Sequence, residues 1–237
     1  MYRSIIYDLP RNVLKFLTNA SIDTLPTNVN LKRWNKRSSP ACGLCGNKET
    51  LLHVLNNCKI MLDQGRYTWR HNSILHSIFT FLKDNNPLSL ELFSDLPGCM
   101  EGISTVPTDI VVTTQKPDIV IVDRENKNVV IFELTVPFDT NIQSAHKRKL
   151  DRYSNLVSDI NQTDYDAYHC AVEIGSRGTI SKDNQKRLNE LLKPFDISKK
   201  DINSVIRNIS KIAIVSSYCL FYSKYESEWI DPNYVTV

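Results

Sequence analysis

Residues 116–153, KPDIVIVDRENKNVVIFELTVPFDTNIQSAHKRKLDRY, hold two unbroken apolar runs, Ile119–Val122 and Val129–Phe132, separated by the polar segment Arg124–Asn128. Runs of β-branched and aromatic residues without polar alternation suit strands covered on both faces. The short polar segment between them suits a hairpin loop. Two acids flank the runs, Asp118 before the first and Glu133 after the second, with fourteen residues between them. A carboxylate at the end of a buried strand is costly unless it is compensated, and a divalent cation would compensate both.

Hairpin register sharpens this. If the loop is Arg124–Lys127, Asp123 faces Asn128 and Asp118 falls opposite Glu133. Opposed residues share a face with Cβ atoms roughly 5 Å apart, close enough to hold one metal ion. A five-residue loop would send the two acids to opposite faces, so the site demands an even loop or a bulge.

Downstream, Pro137 ends the second strand and a helix is expected from about Thr140 to Ile160. On its apolar face lie Ile142, Ala145, Lys149, Tyr153, Leu156 and Ile160, while Lys147 and Arg148 point away. A lysine in the middle of an apolar stripe needs an anionic partner or a snorkelling route. The Asp118/Glu133 pair is the partner on offer.

Upstream, Cys42 and Cys45 form a CxxC knuckle between Gly43 and Gly46, His53 follows after seven residues and Cys58 after four more. This spacing predicts a tetrahedral Cys₃His zinc site completed from a following helical turn, with no open coordination position and therefore a structural role. Cys99, Cys170 and Cys219 are scattered through apolar segments and read as buried thiols of a reducing compartment rather than a disulfide framework.

The chain has 237 residues and a net charge of +3, unevenly spread. Residues 1–60 carry nine Lys/Arg against three Asp/Glu, or +6, which leaves −3 for the rest. A basic front end suits a polyanion partner or, equally, a solvated surface. Residues 9–20 read as a short amphipathic helix opened by Pro10. Residues 21–40 look like a linker arm in which Lys32, Arg33, Lys36 and Arg37 could contact phosphates while Trp34 stacks on a base; the alternative is an exposed basic segment whose Trp34 packs locally.

Gly65–Asn85 reads as a strong helix with Tyr67, His71, Ile74, Leu75, Ile78 and Leu82 on one side. His71 is then either a buried, hydrogen-bonded histidine or an active-site one. Some helical character is expected around Leu88–Phe93, and Ile110–Thr114 is a strand candidate with Asp109 at its mouth, either near the metal or at a solvated strand end. Tyr168–Ile174 reads as a strand, Gly175–Gly178 as a tight turn and Ser181–Leu192 as a helix. Arg177 in that turn is a phosphate contact or a plain turn residue. Asp201–Tyr222 reads as helical at least in its first half, and the tail as irregular. No apolar run approaches the roughly 20 residues of a membrane span. The first residues lack a signal-peptide core, so a nuclear or cytoplasmic location is expected and secretion is not.

Asp118 in a Pro-Asp pair, a second acid and an inward lysine are the elements of the PD-(D/E)xK nuclease site, although Thr135 stands where that pattern has its lysine. Together with the knuckle, the chain resembles the C-terminal region of non-long-terminal-repeat retrotransposon reverse transcriptase proteins that carry a restriction-like endonuclease. The resembling stretches are CGLCGNKETLLHVLNNC, RYTWRHNSIL, VVTTQKPDIVIVD, FELTVPF, AHKRKLDRYSNL and AVEIGSRG, within residues 9–193. In that family the lysine sits on the helix after the second acid and is followed by a Lys/Arg-Tyr pair, matched here by Lys149, Arg152 and Tyr153.

The resemblance implies an α/β fold in which a small CCHC zinc knuckle precedes a restriction-endonuclease-like core, a mixed central sheet flanked by helices. Residues 1–38 would be a helix and basic arm, 39–62 the knuckle, and 63–237 the nuclease domain with a C-terminal helical extension. It implies a DNA-nicking hydrolase that uses Mg²⁺ at Asp118 and Glu133, with Lys149 and Tyr153 in catalytic roles. Structural Zn²⁺ would sit at the knuckle. Contacts to DNA, and to element RNA as a further partner, would come from the basic arm, Lys116, Arg152 and Arg177. No membrane and no small-molecule substrate is expected. The chain holds no Asp-Asp pair of the kind that binds polymerase metals, so a partial element is expected. The alternative is a catalytically inert nucleic-acid-binding remnant of the same fold.

Overall fold

In the computed structural model, which describes residues 2–86, 89–99 and 102–237, four strands form one sheet. They are β1 (Leu90–Ser94), β2 (Ile119–Asp123), β3 (Asn128–Thr135) and β4 (Asp166–Glu173), in the order β1-β2-β3-β4. The first three are antiparallel neighbours, and β4 runs parallel to β3. The β2–β3 register is the one the even loop requires. Asp123 pairs with Asn128 and Ile119 with Phe132, so Asp118 falls across from Glu133.

The helices are α1 (Tyr2–Asp8), α2 (Arg11–Ser21), α3 (Asn28–Arg33), α4 (Lys59–Asp63), α5 (Arg66–Asp84), α6 (Ile142–Ile160), α7 (Lys182–Leu192) and α8 (Lys199–Tyr222). Both faces of the central strands are covered, as their unbroken apolar runs demand. One face, with Ile119, Ile121, Phe132, Leu134, Cys170 and Val172, packs on α5, α7 and α8 through Ile74, Ile78, Leu188, Leu191 and Ile209. The other, with Val120, Val122, Val129 and Ile131, packs on Tyr153, Leu156 and Ile160 of α6. The parallel β3–β4 crossover needs such a helix to carry the chain back to the start of the sheet.

Several expectations are corrected. The segment expected to be helical around Leu88–Phe93 is the edge strand β1 from Leu90 onward, while Leu88 lies outside the described residues. Ile110–Thr114 is not a strand. Ile110 closes a turn through its N–H to the Pro107 carbonyl at 3.1 Å and packs with Val111 into the α6-side core. The last helix, α8, is helical over its whole length, within what its apolar pattern allowed. Cys99 is exposed, whereas Cys170 is buried and Cys219 half-buried.

The expected linker arm is also corrected, because part of it is the docked helix α3. Thr27 caps it by accepting from the Asn30 N–H, the standard way to satisfy an orphan donor in the first turn. Asn28 donates through its N–H to Glu49 Oε1 (3.0 Å) and through Nδ2 to Glu49 Oε2 (3.1 Å) and the Ala41 carbonyl (2.6 Å). Lys224, just past α8, reaches the same carboxylate, its Nζ lying 2.8 Å from Oε1 and 2.7 Å from the Pro26 carbonyl. Glu49 and Lys224 are 0% and 4% exposed. One buried carboxylate therefore ties α3, the knuckle and the end of α8 together.

Removing one member of a buried ion pair strands the other charge. Glu49→Ala is expected to lower the unfolding free energy by about 3–5 kcal/mol. Denaturant unfolding measures it, and a loss below about 1 kcal/mol, the usual worth of an exposed pair, would show that the pair is not structural.

Candidate metal and acid-pair sites

The Cys₃His group is formed. Sγ of Cys42, Cys45 and Cys58 and a ring nitrogen of His53 all lie within 4.8 Å of one another, a group that could hold a metal ion such as zinc. Sequence explains its shape. Gly46 takes a positive φ of 76° and donates its N–H to the Cys42 carbonyl at 2.9 Å, closing the knuckle turn. His53–Asn57 form a single π-helical turn that delivers His53 and then Cys58. Cys45 Sγ lies 3.3 Å from His53 Nε2.

The chemistry of the donor set fits zinc: three thiolates and a neutral imidazole fill a tetrahedral shell. Burial pushes the Cys58 thiol up to about 11, reinforced by the neighbouring cysteines, and depresses His53. Packed thiolates of this kind need a cation between them, and a depressed imidazole is already in its ligating form.

The acid pair lies beside His71, one turn along α5 from Tyr67, which holds the knuckle. Asp118 and Glu133 are 7% and 1% exposed. The Asp118 N–H donates to Glu133 Oε2 at 3.3 Å, and Glu133 Oε1 accepts from Lys149 Nζ. Helix phase thus delivers Lys149 from α6 to the second acid, as the sequence required. Asp118 Oδ2 accepts from the Leu134 N–H at 2.6 Å and faces His71 Nε2 at 3.2 Å.

Burial on its own would raise Asp118 and depress His71, but their mutual attraction outweighs it in both. Asp118 is held below the usual carboxylate range and His71 is lifted to about 9. Glu133 moves the other way, raised by burial and by the Asp118 charge against the pull of Lys149. Two adjacent carboxylates with opposed shifts are a common signature of a working site.

Asp118, His71 and Lys149 open on a cavity of about 410 Å³ also bordered by Asn56, Tyr67, Arg70 and Asp95, while Glu133 lies buried behind them. Asp95 escaped the sequence reading. It follows β1, its N–H donates to the Asp118 carbonyl at 3.1 Å, and its carboxyl is raised by partial burial and by the Asp118 charge. His71, left open by the sequence, is directly on the site. Lys116 and Arg152 are exposed and near enough to act on the Asp95 carboxyl.

Other candidates stand elsewhere. Tyr153 is fully buried; its hydroxyl donates to the Lys116 carbonyl at 3.0 Å and its ring meets His169 edge-on at 5.5 Å. It therefore fixes the chain entering Asp118 rather than touching a phosphate. Asp109 is not near the acid pair. It pairs with Arg124 at 2.6 Å, at the hairpin-loop end of the sheet.

Arg177 donates from Nε to Asp139 at 2.8 Å and from NH1 to the Ala20 carbonyl at 3.1 Å. In the basic stretch, Arg33 pairs with Asp23 at 3.6 Å, and Arg37 bonds to Asn28 Oδ1 while lying over the Tyr225 ring. Lys32 and Lys36 are exposed, and Trp34 is 38% exposed. Thr135, at the usual lysine position, has a buried hydroxyl without a hydrogen-bond partner.

No protein-family model matches the chain, and no curated protein matches it. Among the described residues, no helix is long and apolar enough to cross a membrane.

Proposed function

We propose that the chain is a metal-dependent DNA endonuclease of the PD-(D/E)xK type, the nicking module of a retrotransposon protein. The observation that carries this reading is that Asp118 and Lys149 border one cleft and both contact the buried Glu133, with the lysine supplied by α6 in place of position 135. The element order α5-β1-β2-β3-α6-β4 around a mixed sheet supports it, being the helix, strand, hairpin, helix and strand sequence that the resemblance implies.

The two carboxylates fit Mg²⁺, which takes hard oxygen donors, needs only one or two carboxylates and completes its shell with water and phosphate. Both contacts to Asp118 fall on Oδ2, leaving Oδ1 for the cation. Bound there, Mg²⁺ would acidify a water and offset charge on the scissile phosphate.

The chain's own groups do the rest. The Leu134 N–H and His71 keep Asp118 ionised and oriented. Lys149 holds Glu133 and offers a cation to the charge that develops at phosphorus. Tyr153 locks the Lys116–Asp118 entry. Lys116 and Arg152, with Lys32 and Lys36 farther along, would contact the nucleic-acid backbone.

Supercoiled plasmid incubated with the zinc-loaded chain and Mg²⁺ tests this. Nicking is expected, and its loss in the Asp118→Ala/Lys149→Ala double variant. Salt-sensitive binding without any nicking would favour the second reading, an inert fold that only binds nucleic acid. Two features speak for that reading: Thr135 replaces the usual lysine, and both oxygens of Glu133 are already engaged.

A further inference from the structure

Among the described residues three side-chain cations are almost wholly buried, and two of them are satisfied. Lys224 has the Glu49 carboxylate. Arg66 donates to Gln64 Oε1 and to the Ser223 and Glu226 carbonyls at 2.8, 2.8 and 2.6 Å. Arg70, 1% exposed, is different. It uses two of its five N–H donors, one to Ser217 Oγ at 3.1 Å and one to the Val136 carbonyl at 3.2 Å, and its guanidinium lies over the Tyr67 ring at 5.5 Å. Its Nε is buried with no partner, and among the described residues no carboxylate comes within ion-pair distance.

Asp139, the acid that acts on it from farther away, accepts from Arg177 through Oδ2, while its Oδ1 is buried without a hydrogen-bond partner. Burial pushes the guanidinium down to about 10, which leaves it charged at neutral pH but expensively so. Arg70 also borders the cavity that holds Asp118 and Lys149, and it precedes His71 on α5. Asn56, from the π-helical turn of the knuckle, donates to the same Val136 carbonyl at 2.8 Å and borders the same cavity.

We propose that Arg70 is a phosphate-binding residue of this cleft, its buried charge neutralised by a backbone phosphate of the nucleic-acid strand lying beside the Asp118–Glu133 pair. The proposal rests on the nuclease reading and adds to it the group that seats the strand. A cation held in a low-dielectric wall acts on a polyanion more strongly than an exposed lysine. It also ties the knuckle to the cleft, because Asn56 and Arg70 share one carbonyl.

The test is binding of a fluorescent duplex oligonucleotide in Ca²⁺, so that hydrolysis does not intrude, across a series of KCl concentrations. Thermal unfolding without DNA is followed in parallel. For Arg70→Met the plot of log affinity against log salt is expected to become shallower by about 0.9, the worth of one phosphate contact. Its melting temperature is expected not to fall, since the charge removed is held by two neutral acceptors and the Tyr67 ring, without an ion pair. Arg70→Lys, which keeps the charge, is expected to restore the slope.

An unchanged slope in Arg70→Met overturns the proposal and leaves the arginine a packing residue. If the methionine variant does not fold, Arg70→Gln is judged by the same slope. A wild-type chain that binds no duplex removes both this proposal and the nuclease reading. Wild-type binding with an unchanged slope in the variant removes this proposal alone.

Discussion

Stripping the metal from Cys42, Cys45, His53 and Cys58, or substituting Cys58→Ser, is expected to unfold far more than residues 39–62. Cys42 and Cys58 are packed in one cluster with Phe16 of α2, Trp69 of α5 and Leu220 and Phe221 of α8. Glu49, inside the knuckle, holds α3 and Lys224. The Tyr67 hydroxyl donates to the Val54 carbonyl at 2.9 Å and accepts from the Cys58 N–H at 3.1 Å, fastening α5 to the same turn.

Structural zinc contributes roughly 10–16 kcal/mol in small zinc-finger peptides, against a total stability of about 5–15 kcal/mol for a typical domain. Without a metal, two buried thiols, the half-buried Cys45 and a buried histidine would sit against the helical layer with nothing to hold them together. Far-UV circular dichroism during chelation, with zinc added back, measures this. The expected result is a loss of helical signal larger than the knuckle alone can supply, reversed by zinc. An unchanged melting temperature after complete chelation would show that the knuckle is not part of the helical layer's stability.

Lys149→Ala is expected to slow Mg²⁺-dependent nicking by roughly 10²–10³-fold, the usual loss when one preorganised charge-stabilising donor is removed. The reason lies in Glu133. Burial and Asp118 already raise this carboxyl, and Lys149 is the group that offsets them. Without the lysine, Glu133 binds a proton more readily, so more Mg²⁺ should be needed to compete for it. A titration of nicking rate against Mg²⁺ separates the two effects. The variant should show both a lower plateau and a midpoint at higher metal concentration. A wild-type plateau would mean that Lys149 serves only to neutralise Glu133 in the empty site.

What the sequence could reveal of this site follows from which facts are local. The β2–β3 register was legible because loop parity and side-chain alternation fix it together, and they brought Asp118 to Glu133. Lys149 was legible because a 3.6-residue period places it among Ala145, Tyr153 and Leu156.

His71, Asp95 and Arg70 depend on how α5 and β1 dock on the sheet, and no periodicity encodes that. His71 was found on an inward stripe, but its partner could not be named. β1 was misread because its burial alternates poorly, with Glu91 exposed and Leu92 and Phe93 half-buried, as on an edge strand. Ile110–Thr114 misled in the opposite sense: Ile110 and Val111 pack as a loop against α6-side residues, while Val112 is exposed. The polar stretch around Asn28 and Asn30 looked like a linker because asparagine favours turns, yet both side chains are buried and spend their amides on Glu49, Ala41, Asp23 and Leu25.

The central claim is that Asp118, Glu133 and Lys149 act as one divalent-metal site on DNA. Its most direct test is the rate at which the zinc-loaded chain converts supercoiled plasmid to nicked circles in Mg²⁺, compared with Asp118→Ala under the same conditions and with Ca²⁺ replacing Mg²⁺. The account predicts nicking by the wild type in Mg²⁺, retained binding without nicking in Ca²⁺, and no nicking by Asp118→Ala even though it folds and binds. Nicking that survives Asp118→Ala, or a folded wild type that binds plasmid and never nicks it in Mg²⁺, would contradict it.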